Sequence, residues 1–241
     1  MNILMPIAGA GKRFENAGYT FPKPLIPITN FNGNPMVKVV VDNLNLNGNY
    51  IFVCRKEHID KYNIDVLLKT MIPNCKIVSV NYLTEGSACT CLLAKEYINT
   101  NESLCIADCD HFPIWDSKNF QLTCDTPDID GLTVTFENYH PKFSYIKTNS
   151  DGCVSEIKEK SVISNKANVG IYFWKHGSDY VKYTEQMISK NIRVNNEFYV
   201  APVFNEAIQS GKKIKHYPIS KQWELGTPED LNYFIENYGN V

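Results

Sequence analysis

The feature that most constrains the fold is a regular alternation of short apolar runs and helix-like segments in the first half of the chain. The apolar runs predict buried strands at residues 3–8, 50–54, 76–80 and 103–107. Between them, apolar residues recur at helical spacing in segments 35–46, 59–71 and 87–98. Strands that alternate with helices pair in parallel through right-handed crossovers, so this half predicts the parallel core of an α/β sheet.

The second half has a different pattern. Further strands are predicted at residues 131–137, 143–148, 154–158, 167–174 and 213–219, and helices at 178–190, 197–209 and from Pro228 onward. The turn sequence Asn-Ser-Asp-Gly at 149–152 predicts a hairpin between two of the strands. Because no flexible linker separates the halves, we expect a single domain with a Rossmann-like, mixed but mostly parallel central sheet flanked by helices.

Composition excludes several classes of function. Lys and Arg number 24 and Asp and Glu 26, for a net charge of −2, so no global basic field exists to hold nucleic acid. No apolar run approaches the ~20 residues that span a membrane. The first six residues, Met-Asn-Ile-Leu-Met-Pro, lack a basic leader. We therefore expect a cytoplasmic protein without a nucleic-acid or membrane partner.

The eight cysteines predict buried, reduced thiols rather than a disulfide framework, because the chain is long and no export signal is visible. They are Cys54, Cys75, Cys89, Cys91, Cys105, Cys109, Cys124 and Cys153. No Cys-x-x-Cys pair is present, which argues against a zinc site.

A loop of small residues directly follows the first predicted strand. It consists of Ala8, Gly9, Ala10 and Gly11. Small residues let the backbone approach a ligand closely, and their consecutive N–H groups can form a nest for an anion. A dinucleotide fingerprint would need glycine at position 14, which is Phe14, and no helix is predicted promptly after the loop. A phosphate-binding P-loop fails as well, because Pro6 and Arg13 stand where glycine and Ser or Thr are needed.

Three cationic residues accompany this loop. Lys12 and Arg13 follow it directly, and Lys23 comes ten residues later between Pro22 and Pro24. The two prolines fix the backbone on either side of Lys23 and so confine its ammonium group. An isolated Pro-Lys-Pro would more often be a turn with an exposed lysine. With the glycine loop upstream, we favour a phosphate-binding function.

These motifs resemble the signature of the sugar-phosphate nucleotidyltransferases. Segments that match in family order lie at residues 8–14, 22–25, 85–88, 106–108, 159–160, 167–170, 196–199 and 226–230. The resemblance implies a GT-A-like nucleotide-binding α/β fold and a reaction that joins an NTP to a phosphorylated acceptor with loss of pyrophosphate. It also implies two halves within the single domain 1–241, a nucleotide-binding half at 1–125 and an acceptor-binding half at 126–241.

The resemblance assigns the polyphosphate and metal sites. The loop residues, with Lys12 and Arg13, would bind the triphosphate, and Lys23 would lie near the α-phosphate, so Lys23 and Arg13 are the predicted catalytic residues. Asp108 falls where the family has its strand-end metal aspartate, and Asp110 would share the ion or bind it through water. Paired carboxylates suit Mg²⁺ (or Mn²⁺).

Two further residues near this metal site carry less specific expectations. Glu224 replaces the family's more common aspartate before Gly-Thr-Pro and is the third predicted metal residue. His111 follows Asp110 and is a candidate to face the metal region, although a lone histidine is usually structural. The remaining histidines, His58, His140, His176 and His216, are predicted as loop or surface residues.

The base-reading segment departs from the family pattern, because no glutamine lies in it. It comprises Glu85, Gly86, Ser87 and Ala88. An ionised Glu85 accepts hydrogen bonds only, so it would pair with an amino group such as that of cytosine, and this weakly favours CTP. Equally, Glu85 could only cap the following helix, where the helix dipole favours a carboxylate.

The resemblance also implies the acceptor site and leaves its occupant open. The matching residues are Glu159, Lys160, Asn168, Gly170, Glu197 and Tyr199. The acceptor could be a sugar 1-phosphate or a non-sugar phosphate such as phosphocholine or phosphoglutamine. Alternative functions are a catalytically silent nucleotide-sensing module and a GT-A glycosyltransferase. The partners are thus an NTP and a small phosphorylated acceptor, with a homo-oligomer as a further possibility.

Overall fold

A computed structural model describes residues 1–239. Its strands are β1 Asn2–Pro6, β2 Pro27–Ile28, β3 Asn34–Pro35, β4 Asn49–Arg55, β5 Lys76–Val80, β6 Leu104–Ala107, β7 His111–Ile114, β8 Gly131–Glu137, β9 Tyr145–Thr148, β10 Val154–Lys158, β11 Lys166–Trp174, β12 Ile214–Pro218 and β13 Lys221–Glu224. Its helices are α1 Lys12–Asn16, α2 Met36–Leu44, α3 Lys56–Tyr62, α4 Ile64–Met71, α5 Ser87–Leu92, α6 Lys95–Ile98, α7 Ser117–Cys124, α8 Gly177–Ser189, α9 Val203–Gln209 and α10 Pro228–Asn237.

One large mixed sheet organises the domain. Strands β5, β4, β1 and β6 lie side by side and pair in parallel, as the alternating pattern predicts. The second half joins the same sheet through β11, which pairs antiparallel with β6 and with β8. The hairpin of β9 and β10 extends the sheet beside β11, and β12 pairs in parallel with β8. The prediction of a single α/β domain is therefore confirmed.

Helices cover both faces of the sheet, because alternate residues of each strand point to opposite sides. In β1, Ile3 and Met5 belong to one buried cluster, which also takes in residues of α2, α4, α7 and α10. Leu4 belongs to a second cluster with residues of α5, α8 and α9. The loops at the ends of the strands carry the polar motifs.

Several elements differ from the sequence prediction. The helix predicted at 59–71 is broken at Asn63, whose left-handed backbone (φ 51°) separates α3 from α4. The helix predicted at 87–98 divides into α5 and α6, and the one predicted at 197–209 begins only at Val203. The short helix α1 does follow the glycine loop at once, starting at Lys12 after a left-handed Gly11. Strands β7 and β13 and helix α7 were not predicted.

Buried side chains include several titratable ones. All eight cysteines are free thiols, six of them buried, in agreement with the prediction of buried thiols. His58, predicted at the surface, is instead buried (7% exposed).

In the described part of the chain, the helices are all too short or too polar to span a membrane.

Candidate active site

The glycine loop and the two aspartates lie at the same edge of the sheet. Because β1 and β6 are parallel neighbours, the segments that follow them leave the sheet on the same side. The loop at 7–11 follows β1, and Asp108 and Asp110 follow β6. Residues about a hundred positions apart in the sequence are thereby brought together at the carboxyl ends of the strands.

The loop itself packs closely on the Pro-Lys-Pro segment. The N–H of Ile7 donates to the carbonyl of Val53 (3.0 Å), which anchors the start of the loop. Gly11 has φ +65°, and a Cβ there would contact the Cβ and backbone nitrogen of Lys23 at 3.7 Å. Gly9 faces open space, and the side chains of Lys12 and Arg13 are exposed. The loop thus exposes its backbone and the side chains of Lys12 and Arg13 to solvent, and Gly11 packs against Lys23.

Lys23 and Asp110 form an ion pair at the base of the site. The Lys23 ammonium lies 2.8 Å from Asp110 Oδ2, and the two side chains are 25% and 17% exposed. Burial lowers the pKa of Lys23, but the charge and hydrogen bond of Asp110 together with the charge of Asp108 outweigh it and raise that pKa above its ordinary value. Burial would raise the pKa of Asp110, yet the charges of Lys23 and His111 and the hydrogen bond from Lys23 together hold it well below its usual range. Both groups are therefore charged at neutral pH.

Asp108 and His111 complete a compact cluster with Asp110. His111 Nδ1 lies 3.6 Å from Asp108 Oδ2 and 3.9 Å from Asp110 Oδ1. Ligand atoms of the three residues all lie within 4.8 Å of one another. Burial raises the pKa of Asp108 to about 6. For His111, burial lowers the pKa, but the charges of Asp110, Glu224 and Asp108 together raise it.

Two glycines leave room for this cluster. A Cβ at Gly170 (φ +85°) would lie 2.6 Å from Asp108 Oδ2 and still closer to the ring nitrogen of His111. A Cβ at Gly226 would lie 2.9 Å from Asp110 Oδ2. Main-chain bonds hold the same segments together, since Asp108 N donates to Gly170 O (3.1 Å) and Leu225 N to Asp110 O (2.8 Å). Gly170, predicted at the acceptor, thus lies directly against Asp108.

Glu224 lies beside the cluster and is engaged elsewhere. In the ladder between β13 and β7 it stands opposite His111. Its Oε2 lies 2.8 Å from the ammonium of Lys142, and its Oε1 accepts a hydrogen bond from Gln222 (2.8 Å). Lys142 also pairs with Asp230 at 3.2 Å. Both carboxylate oxygens of Glu224 therefore have protein partners.

The predicted base-reading segment packs against the segment before α9. Phe198 N donates to Glu85 O (2.8 Å), and Ala88 N donates to Phe198 O (3.0 Å). Gly86 has φ +133°, and a Cβ there would lie 2.9 Å from the carbonyl carbon of Phe198. The Glu85 carboxylate pairs with Arg193, whose guanidinium covers the Phe198 ring. Gly86 is the N-cap residue of α5 and has no side chain to cap it, and the Glu85 carboxylate pairs with Arg193 instead of capping the helix.

The predicted acceptor residues are brought together only in part. Lys160 has a left-handed backbone, and its ammonium lies 4.4 Å from the centre of the Tyr199 ring. The ammonium donates a hydrogen bond to the Tyr199 hydroxyl, and this hydroxyl donates one to Glu197. Burial raises the pKa of Glu159 to about 7, and the charges of Asp108 and Glu197 act in the same direction. Lys160, Tyr199 and Glu197 thus form a polar wall, and Glu159 lies close enough to both Asp108 and Glu197 to interact with their charges. Glu159 also lines a cavity of about 710 Å³ between β10 and α9.

Asn168 does not share this wall. It is 3% exposed, and its side chain accepts from the Thr133 hydroxyl (2.6 Å) and donates to the Ser144 hydroxyl (2.7 Å). The structure places it inside the sheet, where it ties β11 to β8 and to the segment before β9. A direct contact with an acceptor would require these buried hydrogen bonds to break.

Sequence reasoning missed two cations that shape the site. Arg193 neutralises Glu85, and Lys142 neutralises Glu224. Neither belongs to a glycine-rich or proline-bracketed motif, so the sequence carries no local signal for either. Only the pairing of distant segments reveals them.

Comparison with known proteins places the chain in a family. A family model described as Nucleotidyl transferase matches residues 2–239. The bifunctional protein GlmU of Thermodesulfovibrio yellowstonii is 23% identical over an alignment of 244 positions. The alignment covers 93% of this chain and 48% of that protein. The chain thus spans about half the length of this curated relative.

Solved structures share the fold. The nucleoside-diphosphate-sugar pyrophosphorylase from Vibrio cholerae RC9 has a TM-score of 0.82 at 22% identity, with 98% of this chain and 100% of that chain covered. The inositol-1-phosphate CTP transferase from T. maritima has a TM-score of 0.74 at 16% identity, with 99% and 96% covered. Because the family model spans nearly the whole sequence, the chain belongs to the nucleotidyl transferase family.

Proposed function

We propose that this enzyme joins a nucleoside triphosphate, preferentially CTP, to a small phosphorylated acceptor and releases pyrophosphate. The observation that carries the proposal is the convergence of the glycine loop, Lys23 and the Asp108–Asp110 pair at one edge of the sheet. An anion nest, a buried ammonium and paired carboxylates are the groups that a polyphosphate and its counter-ion require. Membership of the family supports the same reaction class.

The chemistry is an in-line displacement at the α-phosphorus. An oxygen of the acceptor phosphate forms the new P–O bond, and the bond between the α-phosphorus and the bridging oxygen breaks. The electron pair leaves with pyrophosphate. Because the attacking oxygen is already anionic, no side chain needs to remove a proton. Positioning and neutralisation of charge therefore supply the catalysis.

Lys23 is the residue best suited to stabilise the charge that develops. Its ammonium is held 2.8 Å from Asp110, and Gly11 of the loop lies close to its Cβ and backbone nitrogen, so the side chain is preorganised before substrate arrives. Arg13 and Lys12 are exposed and free to fold onto the β- and γ-phosphates. In this proposal the loop amides bind the triphosphate, and Lys23 acts at the α-phosphate.

The cluster of carboxylates fits a divalent cation. Asp108 is only partly buried (35% exposed) and contacts a histidine rather than a lysine, and Asp110 turns Oδ1 toward the same histidine. When bound there, Mg²⁺ or Mn²⁺ supplies charge neutralisation at the phosphate oxygens. Asp108 and Asp110 would hold it.

CTP is the nucleotide that the Glu85 segment favours. Arg193 engages one oxygen of the Glu85 carboxylate, but the side chain is 66% exposed, so the other oxygen can accept a hydrogen bond from the amino group of cytosine. Uracil and thymine would present a carbonyl oxygen there instead. The pairing with Arg193 also fixes the carboxylate in place.

The acceptor would lie against the wall formed by Glu159, Lys160, Glu197 and Tyr199, which belongs to the second half of the chain. Lys160 would bind the acceptor phosphate, and the two glutamates would contact hydroxyl or amine groups. A sugar 1-phosphate fits this chemistry, and so does a non-sugar phosphate such as phosphocholine or phosphoglutamine.

A matrix of four NTPs against a panel of phosphorylated acceptors, scored by pyrophosphate release, tests the proposal. We expect release with CTP and at least one acceptor in the presence of Mg²⁺ or Mn²⁺. Nucleotide binding without any release would favour a sensing module. Cleavage of a nucleoside-diphosphate sugar onto a hydroxyl acceptor, without an NTP, would favour a GT-A glycosyltransferase.

A further inference from the structure

We propose that His111 is the third ligand of the divalent-cation site, beside Asp108 and Asp110, and that Glu224 lies outside it. A site of this composition takes Mn²⁺ or Co²⁺ in preference to Mg²⁺. The proposal deepens the proposed function and rests on it for the identity of the site. Its test, however, uses metal binding rather than turnover.

The donor atoms lie close to the spacing that one ion requires. With metal–ligand bonds of about 2.0–2.2 Å, neighbouring donors on one ion lie about 3.0–3.6 Å apart. His111 Nδ1 lies 3.6 Å from Asp108 Oδ2 and 3.9 Å from Asp110 Oδ1, and all three ligand atoms lie within 4.8 Å of one another. Small movements of these side chains would therefore bring the three atoms around a common centre.

His111 Nδ1 also lacks any other partner. The atom is buried and has no hydrogen-bond partner within residues 1–239, since both carboxylates lie beyond hydrogen-bond distance. A buried polar atom left unsatisfied costs about 1–3 kcal/mol. Gly170 leaves the space next to this nitrogen clear, because a Cβ there would overlap it. A cation bound between the three residues would satisfy the nitrogen.

In contrast, both carboxylate oxygens of Glu224 already have protein partners. Lys142 holds its Oε2 at 2.8 Å and Gln222 its Oε1 at 2.8 Å. To reach the ion, Glu224 would have to release Lys142, whose ammonium would then face Asp230 alone. The geometry gives Glu224 the role of a charged neighbour of His111 across the β7–β13 ladder.

Asp110 uses its two oxygens for different partners. Oδ1 faces His111, whereas Oδ2 holds the Lys23 ammonium. A cation on Oδ1 and the ammonium on Oδ2 would therefore share one carboxylate, which ties the position of Lys23 to that of the ion.

The imidazole determines the preference for metal. Mg²⁺ favours oxygen ligands, whereas an imidazole nitrogen is a better ligand for first-row transition ions, whose affinity for such a site rises from Mn²⁺ to Co²⁺ and beyond. Replacing a carboxylate of the site with His111 therefore shifts its selectivity toward those ions.

Binding of Mn²⁺ to the wild-type protein, followed by electron paramagnetic resonance, tests the assignment. The pulsed spectrum should show coupling of bound Mn²⁺ to an imidazole ¹⁴N, and competition should show weaker binding of Mg²⁺. His111→Asn should remove the coupling and weaken Mn²⁺ binding by about tenfold or more, as loss of one ligand predicts. His216→Asn, at a histidine of similar burial on β12, is the matched control and should change neither.

Glu224→Gln and Asp108→Asn test the second half of the proposal. Glu224→Gln should leave Mn²⁺ affinity within about threefold and keep the ¹⁴N coupling, whereas Asp108→Asn should abolish binding. Wild-type protein that binds no Mn²⁺, binds it without ¹⁴N coupling, or prefers Mg²⁺ would overturn the proposal. Equal losses in the Glu224 and Asp108 variants would do the same. If the protein releases pyrophosphate but shows no ¹⁴N coupling, the assignment of His111 is wrong and the proposed function stands. If it shows ¹⁴N coupling but releases no pyrophosphate, the proposed function is wrong and the assignment of His111 stands.

Discussion

Gly170→Ala should be among the most damaging small substitutions in this protein, for two separable reasons. The residue has φ +85°, which costs an L-amino acid about 1–2 kcal/mol. The added Cβ would also lie 2.6 Å from Asp108 Oδ2 and 2.8 Å from His111 Cε1. Overpacking of this kind costs about 1–3 kcal/mol. We therefore expect a total loss of about 2–5 kcal/mol in the free energy of unfolding.

Gly211→Ala is the control that separates the two terms. Gly211 has nearly the same backbone, φ +83°, but a Cβ there would meet nothing within 4 Å. This variant should lose only the backbone term, about 1–2 kcal/mol. Urea unfolding followed by the fluorescence of the buried Trp174 and Trp223 measures both losses. If Gly170→Ala were no more destabilising than Gly211→Ala, the close packing of Gly170 against Asp108 and His111 would be refuted.

Three further predictions concern single side chains. Lys23→Ala should lower turnover at least about a hundredfold, consistent with the loss of ~3 kcal/mol of electrostatic stabilisation, while Lys38→Ala on α2 should change steady-state rates less than about twofold. Burial raises the pKa of Glu159 from 4.5 to about 7, so the folded state holds this proton more tightly than the unfolded state. Wild type should therefore lose about 2–3 kcal/mol relative to Glu159→Gln as the pH rises from about 4.5 to above 7, and the unfolding curves should converge at the acid end. Asn168→Ala should cost about 1–3 kcal/mol in urea unfolding, because it removes the two buried hydrogen bonds to the Thr133 and Ser144 hydroxyls; an unchanged midpoint would argue against its structural role.

The parallel core was predictable because its signal is local. Strands β1, β4 and β6 are short apolar runs buried on both faces, and burial on both faces of a parallel sheet requires just that pattern, whereas β5 lies at the edge of the sheet. The breaks within helices were not predictable in the same way. At Asn63 a single left-handed residue ends α3, and an asparagine adopts that conformation in only some of its contexts.

Strands β7 and β13 were missed for a different reason. Each has four residues, and β7 contains Pro113 while β13 begins and ends with the charged Lys221 and Glu224. They are stabilised by pairing with one another, although they lie in different halves of the chain. A pattern confined to either segment therefore indicates a loop.

Some residues of the candidate site were likewise predictable from local motifs, whereas others were not. The glycine loop, Pro-Lys-Pro and the strand-end aspartates are short motifs whose spacing is visible in the sequence, and the parallel arrangement of β1 and β6 brings them together. Pairs such as Arg193 with Glu85, 108 residues apart, depend on how two surface segments meet. The sequence predicted where the acids lie, whereas the structure identified which of them are already neutralised.

That distinction bears directly on the chemistry. Glu85 is paired with Arg193, Glu224 with Lys142 and Asp110 with Lys23. Asp108 differs, since within residues 1–239 no lysine or arginine pairs with it and its contact is with His111. Although the side chain is 35% exposed, desolvation of this carboxylate, which has no such partner, raises its pKa to about 6. A divalent cation at this point would remove that cost and leave the other ion pairs intact. This charge pattern supports our proposal that the metal site is built around Asp108 rather than Glu224.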